Sequence, residues 1–250
     1  MTDVTFCKDF TVLQVDCDLQ NRMTLGALLR ATQQIATDHC DSIGLSGSFL
    51  AKHGVAFLLA KMGIELTRDI YLGEALHITT HPCMPRHAFY NRYTDFCDPD
   101  GQVVARVDAR WVLVDIHTHR ILRNPPQELT FPFGDWVDWE QHLALSRPAA
   151  LEPAGDACAV YSRVDINGHL NNTYYGDILC DALPTEIWLA TNSFRRAVLF
   201  YRQELPLGNR MELLRGRMED GGWYVEGVLG DKRCFEGSIQ FETEDGGAKV

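Results

Sequence analysis

Leu199-Phe200-Tyr201-Arg202-Gln203-Glu204, with Leu207-Gly208 just beyond, repeats the pattern of Ile64-Glu65-Leu66-Thr67-Arg68-Asp69 with Leu72-Gly73, at a constant offset of 135 residues. Each copy is a strand that ends in an acid and is closed by a turn containing glycine. Self-similarity at a fixed period means one supersecondary unit used twice, side by side. On this layout Asp69 and Glu204 occupy equivalent strand ends, and a composite site is expected between the two halves.

Working outward, the same grammar precedes and follows each copy. In the first half, a strand is expected at Phe10–Val15. Thr24 is a plausible N-cap for a long amphipathic helix over Leu25–Ile43, whose apolar positions Leu25, Leu28, Leu29, Ile35, Ala36 and Cys40 fall near helical spacing, with Gly44 as its stop. The period then changes to that of strands: Val55–Leu66, Ala75–His81, Phe89–Phe96 and Val103–Asp115, with turns at Tyr71–Glu74 and Asp98-Pro99-Asp100-Gly101. In the second half, a strand at Ala157–Val164 precedes a helix over Asn172–Leu183, ended by Pro184. Strands at Arg195–Glu204, Arg210–Met218, Trp223–Gly230 and Lys232–Phe241 follow. Between the halves, Pro125, Pro126 and Pro132 break the pattern. The expected organisation is a repeat over 1–130, a connector over 131–152 with a helical turn at Asp135–Leu143, and a second repeat over 153–250. The fold class is α+β.

Chemistry concentrates in Val164-Asp165-Ile166-Asn167-Gly168-His169-Leu170-Asn171-Asn172, where a carboxylate, a carboxamide and an imidazole fall together with a glycine that lets the chain turn. The loop runs straight into the expected helix, so backbone N–H groups at the helix start are candidate donors to a developing negative charge. Alone, such a loop reads as an Asx-turn and a cap.

Composition bounds the alternatives. The chain of 250 residues has 46% hydrophobic and 23% charged residues, the balance of an ordinary globular protein with a sizeable core. No apolar run reaches the length of a membrane span, and the start Met-Thr-Asp-Val-Thr lacks a basic and then apolar leader, so a cytoplasmic location is expected. The eight cysteines form no CxxC pair, which suits reduced, mostly buried thiols. A net charge of −11 argues against nucleic-acid binding. His117-Thr118-His119 is a weak metal signal without carboxylates beside it, and neither metal nor cofactor is expected.

Ser162 to Asn172 resembles the D-x-N-x-H-x-N-N motif of the acyl-acyl-carrier-protein thioesterases, and Tyr201-Arg202-Gln203-Glu204 resembles their downstream Y-x-x-E. Further similar runs are His39–Gly44, Gly73-Glu74 and Trp111–Asp115. The resemblance implies a double hot-dog fold, in which a long helix is wrapped by an antiparallel sheet, twice. It also implies hydrolysis of fatty acyl-carrier-protein thioesters, with the acylated, acidic acyl carrier protein as partner. Asp165, Asn167, His169 and Glu204 fall on the family's catalytic positions. Many plant members carry cysteine directly after the glutamate; Leu205 stands there in this chain, which favours activated water over an acyl-cysteine intermediate.

On that reading Glu204 is the general base. Asp165 orients water or His169, while Asn167 and a backbone N–H near the helix start polarise the carbonyl. His169 orients the thioester or shares the proton, and an exchange of roles between Asp165 and Glu204 stays open. The first half has no counterpart of Asp165, Asn167 and His169; Asp16-Cys17-Asp18 to Arg22 fills that place, and this half is expected to hold the acyl chain. Leu58, Ala60 and Met62 share one face of a regular strand and are candidate pocket liners. Arg195, Arg196 and Arg202, with Arg210, Arg215 and Arg217, are the candidate basic face for the carrier protein.

Three alternatives remain. A hot-dog enoyl-thioester hydratase is disfavoured because its motif resembles D-x-N-P-x-H, whereas Gly168 follows Asn167 in this chain. The others are an acyl-CoA thioesterase and a non-catalytic acyl-thioester binder. A homodimer is left open.

Overall fold

The computed structural model describes residues 4–126, 129, 131–190 and 193–242. Strand β1 (Phe6–Thr11) leads to helix α1 (Leu25–Ser42) and short α2 (Gly47–Lys52), then to β2 (Val55–Leu66), β3 (Ala75–Pro82), β4 (Phe89–Cys97) and β5 (Val103–Asp115). The second repeat has β6 (Glu152–Cys158), α3 (Tyr174–Asp181), α4 (Thr185–Leu189), β7 (Phe194–Tyr201), β8 (Arg210–Arg217), β9 (Trp223–Leu229) and β10 (Lys232–Phe241). All strands join one antiparallel sheet of ten, in the order β1-β3-β4-β5-β2-β7-β10-β9-β8-β6.

The order reads the same from either end once the repeats are matched. At its centre β2 pairs with β7, and Gly63 lies opposite Val198. Those residues are the 135-residue offset apart, so the pseudo-twofold axis passes through this pair. Helices α1 and α3 lie against one face and contact each other. Gly26 and Gly176 allow this: a Cβ on Gly176 would come within 2.6 Å of Leu29 Cδ1, and one on Gly26 within 1.7 Å of the Asp177 carboxylate. Beside them Arg30 pairs with Asp177 at 2.7 Å. The core between helices and sheet includes Leu28, Ile35, Ile64, Phe96, Leu179, Leu199 and Phe235, all buried.

Helix α1 begins and ends as its residues dictate. Thr24 accepts the Ala27 N–H at 3.2 Å, and Gly44 turns the chain away at φ +78°. The first strand differs from expectation, lying at Phe6–Thr11 rather than Phe10–Val15. Phe6 and Phe10 reach the core, whereas Leu13 and Val15 sit exposed on a 3-10 turn over Gln14–Asp16. The strand before the second loop ends at Cys158, again followed by a 3-10 turn, over Tyr161–Arg163.

The connector contains no helical turn at 135–143. It runs extended across the sheet face opposite the helices. There Trp136 and Trp139 pack edge-on to Tyr93, and Arg110 donates to the Gln141 carbonyl at 2.8 Å. Gly63 leaves room for Gln141 and Leu143, and Arg147 forks onto buried Glu226 at 2.8 and 2.9 Å.

Candidate active site

The motif loop is a tight turn fastened to the end of the central strand. Val164 and Leu170 bridge its base, and Gly168 at φ +80° makes the reversal. The Asp165 carboxylate accepts the Asn167 N–H at 2.9 Å, and Asp165 N donates to the His169 carbonyl at 3.0 Å. The turn after β7 grips the loop from the other side: Leu170 N donates to the Leu205 carbonyl at 2.8 Å, and Leu207 N to the Gly168 carbonyl at 2.9 Å. Strand β7 ends at Tyr201, so Glu204 sits on this turn rather than on the strand.

The result is a row of three groups. His169 Nδ1 lies 3.8 Å from Asp165 Oδ1, and His169 Nε2 lies 3.4 Å from Glu204 Oε1. The imidazole and Asp165 are mostly covered, whereas the Glu204 side chain is 57% exposed to solvent. Such a row can take a proton from water at the exposed carboxylate and hold it on the imidazole. Asn167 contributes its backbone N–H to the turn, and its side chain is exposed at the rim. Leu205 points the opposite way, fully buried in the core, so a side chain at 205 faces away from the imidazole.

The start of α3 does not offer the free donors expected of it. Asn171 Oδ1 accepts the Thr173 N–H at 2.9 Å and the Thr173 hydroxyl at 2.8 Å, and the Tyr174 and Tyr175 N–H groups go to the Asn171 and Asn172 carbonyls. The Asn172 N–H, by contrast, makes no hydrogen bond among the described residues. Asn172, Thr173 and Tyr201 line the near end of a narrow cavity that continues between Leu29, Thr32 and Ala36 of α1 and the inner face of the sheet. Tyr201 donates its phenol to the Asn172 carbonyl at 3.3 Å and meets Tyr175 edge-on. Burial pushes both phenols up from the usual tyrosine range, which keeps them neutral donors.

Of the predicted pocket liners, only Met62 reaches this cavity. A β-bulge between Leu59 and Lys61 resets the alternation, so Leu59 joins Met62 on the inner face and Leu58 is 41% exposed. Nor do the arginines gather into one basic face. Arg195 pairs with Asp69 and Glu242, Arg196 with Glu65, Arg202 with Glu236, Arg210 with Asp156 and Arg215 with Glu152. Arg217 donates to the Gly221 carbonyl and lies over Trp223.

The stretch that fills the motif's place in the first repeat, Asp16 to Arg22, proves to be a backbone counterpart of the motif loop. Cys17 and Met23 bridge as Val164 and Leu170 do, and Arg22 pairs with Tyr71 as His169 pairs with Pro206. Asp18 therefore matches Asp165, Gln20 matches Asn167, and Arg22 matches His169. The backbone bonds match too, with Gln20 N donating to Asp18 Oδ1 at 2.9 Å. The side chains have been put to another use. Arg22 donates to Asp18, Gln20 and Ser193, each at 3.0 Å, and Asp69 accepts from Ser193 at 2.6 Å and Arg195 at 2.8 Å. A guanidinium stays protonated, so this copy cannot pass a proton.

Comparisons with known proteins agree with this architecture. The family profile described as the acyl-ACP thioesterase N-terminal domain matches residues 3–130, and that of the C-terminal domain matches 158–239. The chain is 23% identical over 215 residues to the chloroplastic acyl-[acyl-carrier-protein] hydrolase FATB3 of Cuphea viscosissima, covering 80% of this chain and 52% of that one. It is 22% identical over 222 residues to the chloroplastic oleoyl-acyl carrier protein thioesterase 2 of Arabidopsis thaliana, covering 80% of this chain and 59% of that one. The chain thus spans between half and three-fifths of the length of these relatives. Among solved structures, an acyl-ACP thioesterase from Bacteroides thetaiotaomicron superposes with a TM-score of 0.86 at 21% identity, over 96% of this chain and 98% of that one. The 12:0-ACP thioesterase of Umbellularia californica superposes with a TM-score of 0.79 at 14% identity, over 96% and 97%. The fold is therefore the double hot-dog, and the chain belongs to the acyl-acyl-carrier-protein thioesterase family.

Proposed function

We propose that this protein hydrolyses fatty acyl-acyl-carrier-protein thioesters to free fatty acid and carrier protein by carboxylate-activated water. The observation that carries the reading is the His169 imidazole between two carboxylates, 3.8 and 3.4 Å away, on the loop that runs into Asn172 and Thr173 at one end of a narrow cavity.

Glu204 is assigned the general base because it is the exposed member of the row. Asp165 Oδ1 already accepts the Asn167 N–H, and it serves to orient His169 through Nδ1. Water gives a proton to Glu204, and its oxygen bonds to the thioester carbonyl carbon. The oxyanion is received by the Asn172 N–H, with the Asn167 carboxamide at the rim as second donor. The C–S bond then breaks, and the proton passes from Glu204 through His169 Nε2 to the departing thiolate. No protein nucleophile is used, in keeping with the inward-facing Leu205. The acyl chain lies between α1 and the sheet of the first repeat.

The acyl carrier protein is the proposed partner. Arg163, beside the loop and with no carboxylate within 4 Å among the described residues, is the cation proposed to meet its acidic surface. Among the described residues no helix is long and apolar enough to cross a membrane, and the eight free cysteines suit the reducing cytoplasm proposed as its location. The test is a panel of acyl-carrier-protein and acyl-CoA thioesters of varied chain length. Carrier-protein substrates should be preferred, and absence of turnover on every member would overturn the reading.

A further inference from the structure

The inner end of the acyl cavity is not built like a hydrocarbon slot. Arg92 and Trp111 both line it, together with Leu59, Met62 and Ala109. Arg92 is 9% exposed, and its hydrogen-bond partners are an imidazole, a hydroxyl and a thiol: His39 Nδ1 at 3.0 Å, Thr80 Oγ1 at 3.5 Å and Cys40 Sγ at 3.6 Å. It forms no ion pair with a carboxylate among the described residues. The Trp111 indole N–H is buried without an acceptor, and so is the hydroxyl of Tyr90, which lies directly opposite Trp111 in the sheet. Register places Tyr90, Arg92 and Trp111 on the same inner face, because Arg92 sits opposite Ala109 and Tyr90 opposite Trp111.

Two of these polar side chains, Arg92 and Trp111, share one wall of the cavity, and neither has an acid to answer it. Buried donors and cations without acceptors are costly and are kept where something else completes them. A plain alkyl chain would leave both as they are. A buried structural arginine would be expected to carry a carboxylate partner, as Arg110 does with buried Asp108 at 2.7 Å.

We infer that the cavity takes an acyl group carrying an oxygen acceptor between mid-chain and terminus, received by Trp111 Nε1 and the Arg92 guanidinium. This rests on the reading of the protein as an acyl-thioester hydrolase, and it names the substrate class of that same site. A hydroxyl, an oxo group and a terminal carboxylate share the required chemistry.

The test compares dodecanoyl-carrier protein with carrier-protein thioesters of the same length bearing a hydroxyl, oxo or terminal carboxylate group, the hydroxyl and oxo group placed at successive carbons beyond the sixth. In parallel, the corresponding free acids are titrated calorimetrically into Glu204→Gln. A hydrogen bond to a charged donor in a dry pocket is worth roughly tenfold or more in affinity. At least one oxygenated chain should therefore exceed the plain chain by about tenfold in kcat/KM and in affinity. That ratio should fall several-fold in Trp111→Phe, which keeps the ring and removes the N–H, and also in Arg92→Gln if that variant folds. The inference is overturned if the plain chain equals or exceeds every oxygenated one, or if the ratio is unchanged in Trp111→Phe. Should no thioester be hydrolysed, the proposed activity fails, while the calorimetry still decides which acid the cavity prefers.

Discussion

Glu204 and Asp69 occupy equivalent places in the two repeats, and removing the charge from each should have opposite consequences. The Glu204 side chain is 57% exposed, and among the described residues its ion-pair-range neighbour is His169 at 3.4 Å. An exposed pair of this kind contributes at most about 1 kcal/mol to stability. As general base, however, Glu204 carries roughly 10²–10⁴ in rate, equivalent to about 3–5 kcal/mol of barrier. Asp69 is 15% exposed and accepts from the Ser193 hydroxyl at 2.6 Å and Arg195 at 2.8 Å. Losing a charged acceptor there should cost about 1.5–3 kcal/mol, or roughly 3–12 °C in Tm for a chain of this size. Glu204→Gln should thus lose turnover by at least about a hundredfold with a Tm within about 3 °C of the parent. Asp69→Asn should lose Tm while the folded enzyme keeps its kcat within about threefold, since its loop holds arginine where a proton relay would be needed. The assays are thioester turnover, read as thiol release, and differential scanning fluorimetry on the same preparations. Near-normal turnover in Glu204→Gln, or a loss in Asp69→Asn as large as in Glu204→Gln, would refute the division of labour between the repeats.

Other outcomes can be checked with the same preparations. Burial works to raise the Asp69 carboxyl pKa, but the Ser193 and Arg195 hydrogen bonds and the charges of Arg195 and Arg22 outweigh it and hold it below the ordinary range. Its stabilising contribution is therefore complete above the unfolded carboxyl pKa of about 3.9 and is lost as pH falls through the folded value, so the gap in urea midpoint between parent and Asp69→Asn should close in acid. Gly168→Ala forces a side chain to φ +80° and should lower both kcat and Tm, the latter by the equivalent of roughly 1 kcal/mol or more, as turnover and melting curves will show. Tyr201→Phe removes the 3.3 Å bond to the Asn172 carbonyl but leaves the ring against Tyr175. It should cost about 1 kcal/mol in stability and several-fold in kcat/KM, measured by denaturation and steady-state kinetics. Alkylating the accessible thiols of the native protein should leave the hydrolysis rate unchanged.

Much of the fold is legible because the residues that set it act locally. The bounds of the strands Val55–Leu66 and Val103–Asp115, the Thr24 cap and Gly44 stop, and the 135-residue echo all survive as written. What the sequence hides depends on contacts made across the molecule. The Leu59–Lys61 bulge shifts which face Leu58 and Met62 present, and no alternation of residue types announces it. Trp136 and Trp139 have the spacing of a helical turn, yet they lie on an extended chain because Tyr93 and the sheet offer a surface for both rings. The residue-by-residue match between Asp18–Arg22 and the motif loop is hidden for two reasons. The first repeat holds a longer helix between loop and strand, so the offset changes, and arginine stands where the second repeat has histidine. Family resemblance rather than periodicity marks Asp165, His169 and Glu204; the geometry adds the row they form and the inward turn of Leu205.

The most direct test of hydrolysis by activated water is a single-turnover reaction of the parent enzyme with an acyl-carrier-protein substrate in ¹⁸O-labelled water, followed by mass spectrometry of both the fatty acid and the intact protein. Direct attack by water predicts one ¹⁸O atom in the released acid and no acyl adduct on the protein at any time. Unlabelled acid in the first turnover would mean that a carboxylate of the protein had attacked. An acyl adduct on the chain would likewise contradict the mechanism.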